Sequence, residues 1–419
     1  MTVIAQSLRS GMAAFGRCRD IRSGIAPRGV AVALMAALLA PGAMLVASGT
    51  ALAAAPTFES AGKQAILVDD LTGSVLYAKN ADERMAPSSM SKLMTAYVLF
   101  DRLKSGRVSI SDEFPVSEKA WRMGGSKMFV ELNSRVKVED LIQGIIVQSG
   151  NDACVVVAEA LAGSEDAFAR VMNDTARELG MTGSHFTNAS GWPDPEHYMT
   201  ARDLATLARH IIDEFPEFYK YYSQTEYTYG GIKQGNRNPL LYKDIGVDGM
   251  KTGHTEAGGY GLTASMKQGD RRLIMVVNGL SGVNERSNES ERLLSWGMRE
   301  FENRKLFSAG EVVETAEVWL GDTGTVPLVP ARDLVVTIPV ADRNSLTAKV
   351  VYDGPVPAPI AEGQEIAKLV VDAPGIEPLA IPLVAAQTVT EAGPIGRILA
   401  AISHFVSGVA EGGEPQKQP

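Results

Sequence analysis

The stretch APSSMSKLMTAYVLF, Ala86 to Phe100, sets three serines, Ser88, Ser89 and Ser91, just ahead of Lys92 at the mouth of a strongly apolar run. Leu93, Met94, Tyr97, Val98 and Phe100 fall close to helical spacing, and no Gly or Pro interrupts them before Gly106. A helix is therefore predicted, with Pro87 in its first turn. On a helix, residues three or four apart share a face, so Ser88 and Ser89 both reach Lys92 while Ser91 points away. A serine hydroxyl is a weak nucleophile until a base takes its proton. Lysine serves as that base only where burial or nearby positive charge keeps it neutral, and the apolar helix supplies burial. Spacing leaves Ser88 and Ser89 tied. The S-x-x-K pattern alone is weak, because about one or two chance matches are expected in a chain of this length, and Ser60 with Lys63 makes one.

Upstream, Gln64 to Val68 and Ser74 to Lys79 read as a hairpin, with Asp69, Asp70 and Gly73 in its turn. Downstream, helices are predicted around Val138 to Ser149, Asp152 to Ala162, Glu165 to Leu179 and Ala201 to Ile212, and strands return after Gly246. A second hairpin joins Gly261 to Lys267 with Arg272 to Asn278, and a helix follows through Glu289 to Asn303. Strand, helices, strands, helix is an α/β layered core. Beyond Lys305 the texture changes to short β-type runs, Val312 to Trp319, Leu334 to Val340, Leu346 to Tyr352 and Ile366 to Val371, which predict a small all-β domain. Ile395, Ile398, Leu399, Ile402, Phe405, Val406 and Val409 then step along one helical face, an amphipathic helix too short to span a bilayer and suited to a membrane surface.

At the front, Arg9, Arg17, Arg19, Arg22 and Arg28 precede an uncharged run from Gly29 to Ala55 that ends in small residues, the layout of a secretory signal. Losing residues 1–53 removes five arginines and one aspartate and makes a formal charge already at −9 more negative, which argues against nucleic acid as a partner. Cys18 leaves with the signal, so Cys154 is alone and reads as a small buried hydrophobe. No His, Cys and carboxylate spacing implies a metal, and His185, His197, His210 and His404 read as structural or surface residues. No cofactor is implied.

Two distant segments strengthen the serine and lysine. Ser149-Gly150-Asn151 follows the apolar run Leu141 to Val147 and precedes another helix, where a loop can project a hydroxyl and an amide. Val247 to Thr255, VDGMKTGHT, reads as an edge strand carrying a cation, a hydroxyl and a glycine that admits close backbone approach. With S-x-x-K and K-T-G in this order, the chain resembles the penicillin-recognising serine acyl-transferases. IVQSGNDAC, ARDLATLARHI, NRNPLL and VDGMKTGHTEAGGYGL bring it closer, to the low-molecular-mass penicillin-binding proteins that are serine-type D-alanyl-D-alanine carboxypeptidases, over about Gln64 to Asn303.

The resemblance implies an α/β (α+β) transpeptidase/β-lactamase-like catalytic domain, an antiparallel sheet flanked by helices, at 56–305. Around it lie a signal peptide at 1–55, a β-rich domain at 306–390, a membrane-associating helix at 391–411 and a polar tail at 412–419. It implies acylation of Ser89, with Ser88 structural, Lys92 as proton acceptor and Ser149 as proton shuttle. Asn151 would orient substrate and the lysine, Lys251 would bind substrate from across the cleft, and Thr252 and Arg237 would flank the substrate's free carboxylate. The backbone N–H groups of Ser89 and His254 would form the oxyanion hole. Gly125 and Ser126 sit where the family has a loop near the cleft, although its paired serines are missing here. The implied partners are peptidoglycan stem peptides ending in D-Ala-D-Ala, β-lactam antibiotics and a membrane surface on the periplasmic side. Competing readings are a D,D-endopeptidase, a β-lactamase and an inactive wall-binding scaffold. Class A β-lactamases carry S-D-N and a deacylating glutamate, for which this sequence offers no clear equivalent.

Overall fold

The computed structural model describes residues 3–7, 57–372 and 378–394, and the predicted terminal helix and polar tail lie outside these, apart from the first few residues of that span. The chain forms two compact units. In the larger, strands β1 (Gln64–Asp69) and β2 (Val75–Lys79) precede helices α1 (Lys92–Lys104), α2 (Val138–Ile146), α3 (Asn151–Ala162), α4 (Glu165–Glu178) and α5 (Ala201–Glu214). Strands β3 (Val247–Thr255), β4 (Gly259–Gln268) and β5 (Arg271–Leu280) and helix α6 (Val283–Glu300) complete it. The five strands form one antiparallel sheet in the order β2-β1-β5-β4-β3, which leaves β3 at an edge.

Period-two alternation sends the two faces of this sheet into different cores. Ile66, Ile274 and Val276 face the core built by α1, α2, α3 and α5. Ala65, Leu67, Leu273, Met275 and Val277 face Leu293, Leu294 and Trp296 of α6. Helix α1 is buried on every side from Lys92 to Phe100, which is why its sequence is apolar all round rather than striped. The surrounding helices carry local start signals: Ser164 Oγ accepts from Ala167 N at α4, and Thr200 Oγ1 accepts from Asp203 N at α5.

Some predicted boundaries move. The first turn expected at Pro87 is a 3-10 turn, Ser88–Ser91, and α1 begins at Lys92. Helix α6 starts six residues before the predicted Glu289, because its polar opening VNERSNE hides the period; Glu285 accepts from the Ser281 backbone N–H ahead of it. It stops at Glu300, and Phe301–Phe307 is a strand paired with Leu334–Pro339, which belongs to the larger unit although its texture places it among the small β domain's runs. A hairpin before Gly246, Glu226–Tyr229 with Ile232–Gly235, is an addition to the predicted elements. Its Gly230-Gly231 turn, both at positive φ, is the signal for it in the sequence.

The smaller unit is a seven-stranded sheet ordered Val3–Ser7, Thr347–Tyr352, Glu365–Asp372, Leu379–Ala385, Thr325–Val329, Glu314–Trp319, Val356–Pro357. The edge strand Val3–Ser7, which falls within the predicted export segment, runs parallel to Thr347–Tyr352. Ala367, Leu369 and Val371 alternate inward along their strand, the pattern of a sheet with one covered face. Among the described residues, no helix is long and apolar enough to cross a membrane.

Candidate active site

Three segments distant in sequence converge beside the edge strand β3. The turn before α1 presents its three serines in three directions. Ser88, at φ +52°, donates to Thr255 Oγ1 at 3.2 Å. Ser89 Oγ lies 2.8 Å from Lys92 Nζ, and Ser91 Oγ lies 2.8 Å from His197 Nε2. The tie between Ser88 and Ser89 is thus broken by backbone conformation: a 3-10 turn with a left-handed Ser88 directs only Ser89 at the lysine.

Lys92 is buried at the first turn of α1. Besides Ser89, its amine reaches Asn151 Oδ1 at 2.7 Å and the Ser190 carbonyl at 2.6 Å. Burial, with Arg237 adding to it, lowers its pKa to about 8. A neutral amine has two N–H groups and one lone pair. Two fixed acceptors take the N–H groups, so the lone pair is left facing the Ser89 hydroxyl, the orientation proton abstraction requires.

Ser149 and Asn151 come from the turn that starts α3, where Ser149 stands at φ +59°. Such a non-glycine conformation persists only where surroundings over-determine it. Lys251 Nζ, on β3, donates to Ser149 Oγ at 3.0 Å. Burial, together with the charges of Lys92 and Arg237, holds Lys251 well below the ordinary ammonium range. Arg237 is exposed and donates to Ser126 Oγ, and the Ser126 backbone carbonyl accepts from the Asn151 backbone N–H at 2.8 Å. Ser126 therefore sits in the site without a serine partner beside it. Thr252 is buried next to Lys251, and the more exposed His254 lays its ring on Tyr260 at 3.9 Å.

Glycine makes these approaches possible. A Cβ on Gly253 would lie 2.7 Å from the Pro87 carbonyl oxygen, so K-T-G needs its glycine to meet the serine turn. At Gly191, φ +75°, a Cβ would fall 1.9 Å from the Ser88 carbonyl oxygen. Gly191→Ala is expected to displace the Ser88–Ser91 turn and to lower covalent labelling by a radiolabelled penicillin about a hundredfold; labelling at the wild-type rate would refute that packing argument.

Four contributors escape a reading of the sequence. Asp152 accepts from the backbone N–H groups of Met128, Phe129 and Val130, fixing the loop that carries Ser126. Asn188 Oδ1 accepts from Ser190, Gly191 and Trp192 N–H groups and so shapes the loop whose carbonyl meets Lys92. An Asn opening a Ser-Gly turn is the readable signal for it. Arg286 of α6 is 6% exposed, its guanidinium lies over the Tyr260 ring, and its Nε has no hydrogen-bond partner. Ser190 acts through its backbone, which side-chain chemistry does not announce. The site therefore gathers Lys92, Lys251, Arg237 and Arg286, while the nearby Asp152 carboxylate is committed to backbone donors. An incoming anion relieves that crowding of cations.

A serine hydroxyl 2.8 Å from a buried lysine amine, with further cationic side chains around it on an α/β scaffold, fits a serine acyl-transferase of the penicillin-recognising kind. Residues 50–281 match the family model described as D-alanyl-D-alanine carboxypeptidase, and residues 301–391 match the penicillin-binding protein 5 C-terminal domain. The chain belongs to the D-alanyl-D-alanine carboxypeptidase family. It is 40% identical over 339 residues to D-alanyl-D-alanine carboxypeptidase DacA of Haemophilus influenzae, covering 80% of this chain and 86% of that one. With DacC of Escherichia coli it shares 39% identity over 360 residues, 83% and 90% of the two chains. The crystal structure of penicillin binding protein 5 from Haemophilus influenzae superposes with a TM-score of 0.76 at 39% identity, covering 80% of this chain and 99% of that chain.

Proposed function

We propose that the protein removes the terminal D-alanine from peptidoglycan stem peptides through an acyl-enzyme on Ser89. The observation that carries this is the amine of Lys92, buried, lowered in pKa and 2.8 Å from Ser89 Oγ, with Asn151 and Ser190 holding its other two contacts. The peptide lies extended along the edge strand β3, adding a strand to it. Its terminal carboxylate meets Thr252, Arg237 and Lys251. Lys92 takes the Ser89 proton as Oγ bonds to the carbonyl carbon between the two D-alanines. The Ser89 and His254 backbone N–H groups receive the oxyanion. As the C–N bond breaks, the proton passes through Ser149 to the departing amine, and D-alanine leaves. Water, deprotonated in turn by Lys92, then hydrolyses the ester. A β-lactam acylates the same serine, and its tethered leaving group stays attached, which slows that second step.

Supporting this reading are the family membership and the meeting of side chains from the three motifs, Lys92 with Ser89 and Asn151 and Lys251 with Ser149. The test is direct. Incubated with a pentapeptide ending in D-Ala-D-Ala, the protein releases D-alanine, and a fluorescent penicillin labels it covalently; neither release nor label would overturn the proposal.

Export to the periplasmic side of the membrane, and attachment there through 391–411, complete the proposal, supported by the arginine-flanked apolar opening and the one-sided apolar helix pattern. Deleting residues from Pro394 onward is expected to move the protein from the membrane pellet to the soluble fraction with D-alanine release within about twofold; an unchanged distribution would point to packing of the helix on its own domain.

A further inference from the structure

Resting on the acylation reading, we infer that His197 and Ser91 form a buried clamp that positions the Ser190 carbonyl for Lys92, making both of them positioning residues for acylation. The two come from separate segments: Ser91 closes the serine turn ahead of α1, and His197 lies in the segment leading to α5. Both are buried, and Ser91 Oγ stands 2.8 Å from His197 Nε2. The other ring nitrogen fixes the proton. Thr187 donates its backbone N–H to His197 Nδ1 at 3.2 Å, so Nδ1 carries a lone pair, Nε2 carries the hydrogen, and Nε2 donates to Ser91 Oγ. Burial pushes the imidazole down to about 4, against a smaller opposing pull from Asp194, so the neutral ring with this tautomer persists at neutral pH.

What the ring holds is the loop from Thr187 to Trp192. At its start His197 binds Thr187. Next, Thr95 Oγ1 of α1 donates to the Ala189 carbonyl, and Asn188 closes the turn around Ser190. A Cβ at Gly191 would fall 1.9 Å from the Ser88 carbonyl oxygen and 3.1 Å from Ser91 Oγ, so the loop there runs directly beside the serine turn. The loop is thereby stitched to the serine turn on both sides of Ser190, whose carbonyl is one of the two acceptors that aim the Lys92 lone pair. Without the clamp, one stitch opens, the Thr187 N–H and the Ser91 hydroxyl lose their partners, and the carbonyl gains freedom at the point where displacement of about 1 Å costs about a hundredfold. The ring also packs edge-on against Phe186 at 5.5 Å, a contact that a phenyl ring keeps.

The experiment compares wild type with Ser91→Ala, His197→Phe and His197→Gln by stopped-flow acylation with a fluorescent penicillin, taken to the limiting rate, with melting temperature measured in parallel. Expected for Ser91→Ala and His197→Phe is a limiting acylation rate about 10–100-fold lower, with the half-saturating concentration changed less than about threefold. His197→Gln, which offers one donor and one acceptor, recovers most of the rate, and the Ser91→Ala/His197→Phe double variant is no slower than the slower single one. A lowered melting temperature with limiting rates within about threefold of wild type would show a merely structural contact and overturn the clamp. If His197→Phe does not fold, Ser91→Ala, which loses one buried hydroxyl, decides. Wild type that takes no label overturns the acylation reading and the clamp with it; wild type that labels beside variants that label equally fast overturns the clamp alone.

Discussion

Ser89→Ala is expected to release no measurable D-alanine and to retain no penicillin, a loss of at least about a thousandfold, while Ser88→Ala keeps its activity within about tenfold. The contrast follows from geometry. Ser89 Oγ is the hydroxyl that Lys92 meets, and removing it leaves no atom to form the ester. Ser88 turns the other way, to Thr255, and its loss removes one part-buried hydrogen bond, about 1 kcal/mol of stability. The register is thus tested in two neighbouring positions. Equal loss in both would sink the assignment of Ser89, and label persisting in Ser89→Ala would do so outright.

The second large effect belongs to Lys92. Its amine acts only when neutral, and burial lowers its pKa to about 8. Below that value the ammonium predominates and has no lone pair for the serine proton; above it the free amine predominates. The acylation rate of wild type should therefore climb with pH along a limb centred near 8, where an unperturbed lysine would place it above 10. Lys92→Met keeps the length and apolar bulk and loses the base, so acylation should fall about 10²–10⁴-fold and the limb should vanish. Lys92→Arg should not rescue, because a guanidinium stays protonated. A variant lacking the amine that still shows the same rising limb would transfer the base role elsewhere, Lys251 being the alternative.

Much of this site is legible in the amino-acid sequence. Both residues of S-x-x-K, the hydroxyl and amide of S-G-N and the cation of K-T-G stand out because catalysis by serine and amine requires those side-chain types. Hairpins and helices around them follow from period and turn chemistry, both of which are local. Less visible are groups that act through backbone or over long range. Ser190 contributes a carbonyl, Asp152 spends its carboxylate on three N–H groups of another loop, and His197 looks like an ordinary histidine because its partner, Ser91, is 106 residues away in the chain.

By itself, then, the sequence determined the central apolar helix, the antiparallel pairs, the change to β texture beyond Lys305 and the family resemblance, because composition and periodicity encode which faces are buried. Helical spacing left Ser88 and Ser89 equal, since an ideal helix brings both within reach of Lys92, and the resemblance implied Ser89. The tertiary structure supplies the physical reason for that choice. Contact with Gly191 and Gly253 accompanies a left-handed Ser88 and a 3-10 turn, so Ser89 alone meets the amine. The lysine's pKa likewise depends on what is packed around it, because desolvation is a property of the assembled core rather than of any segment.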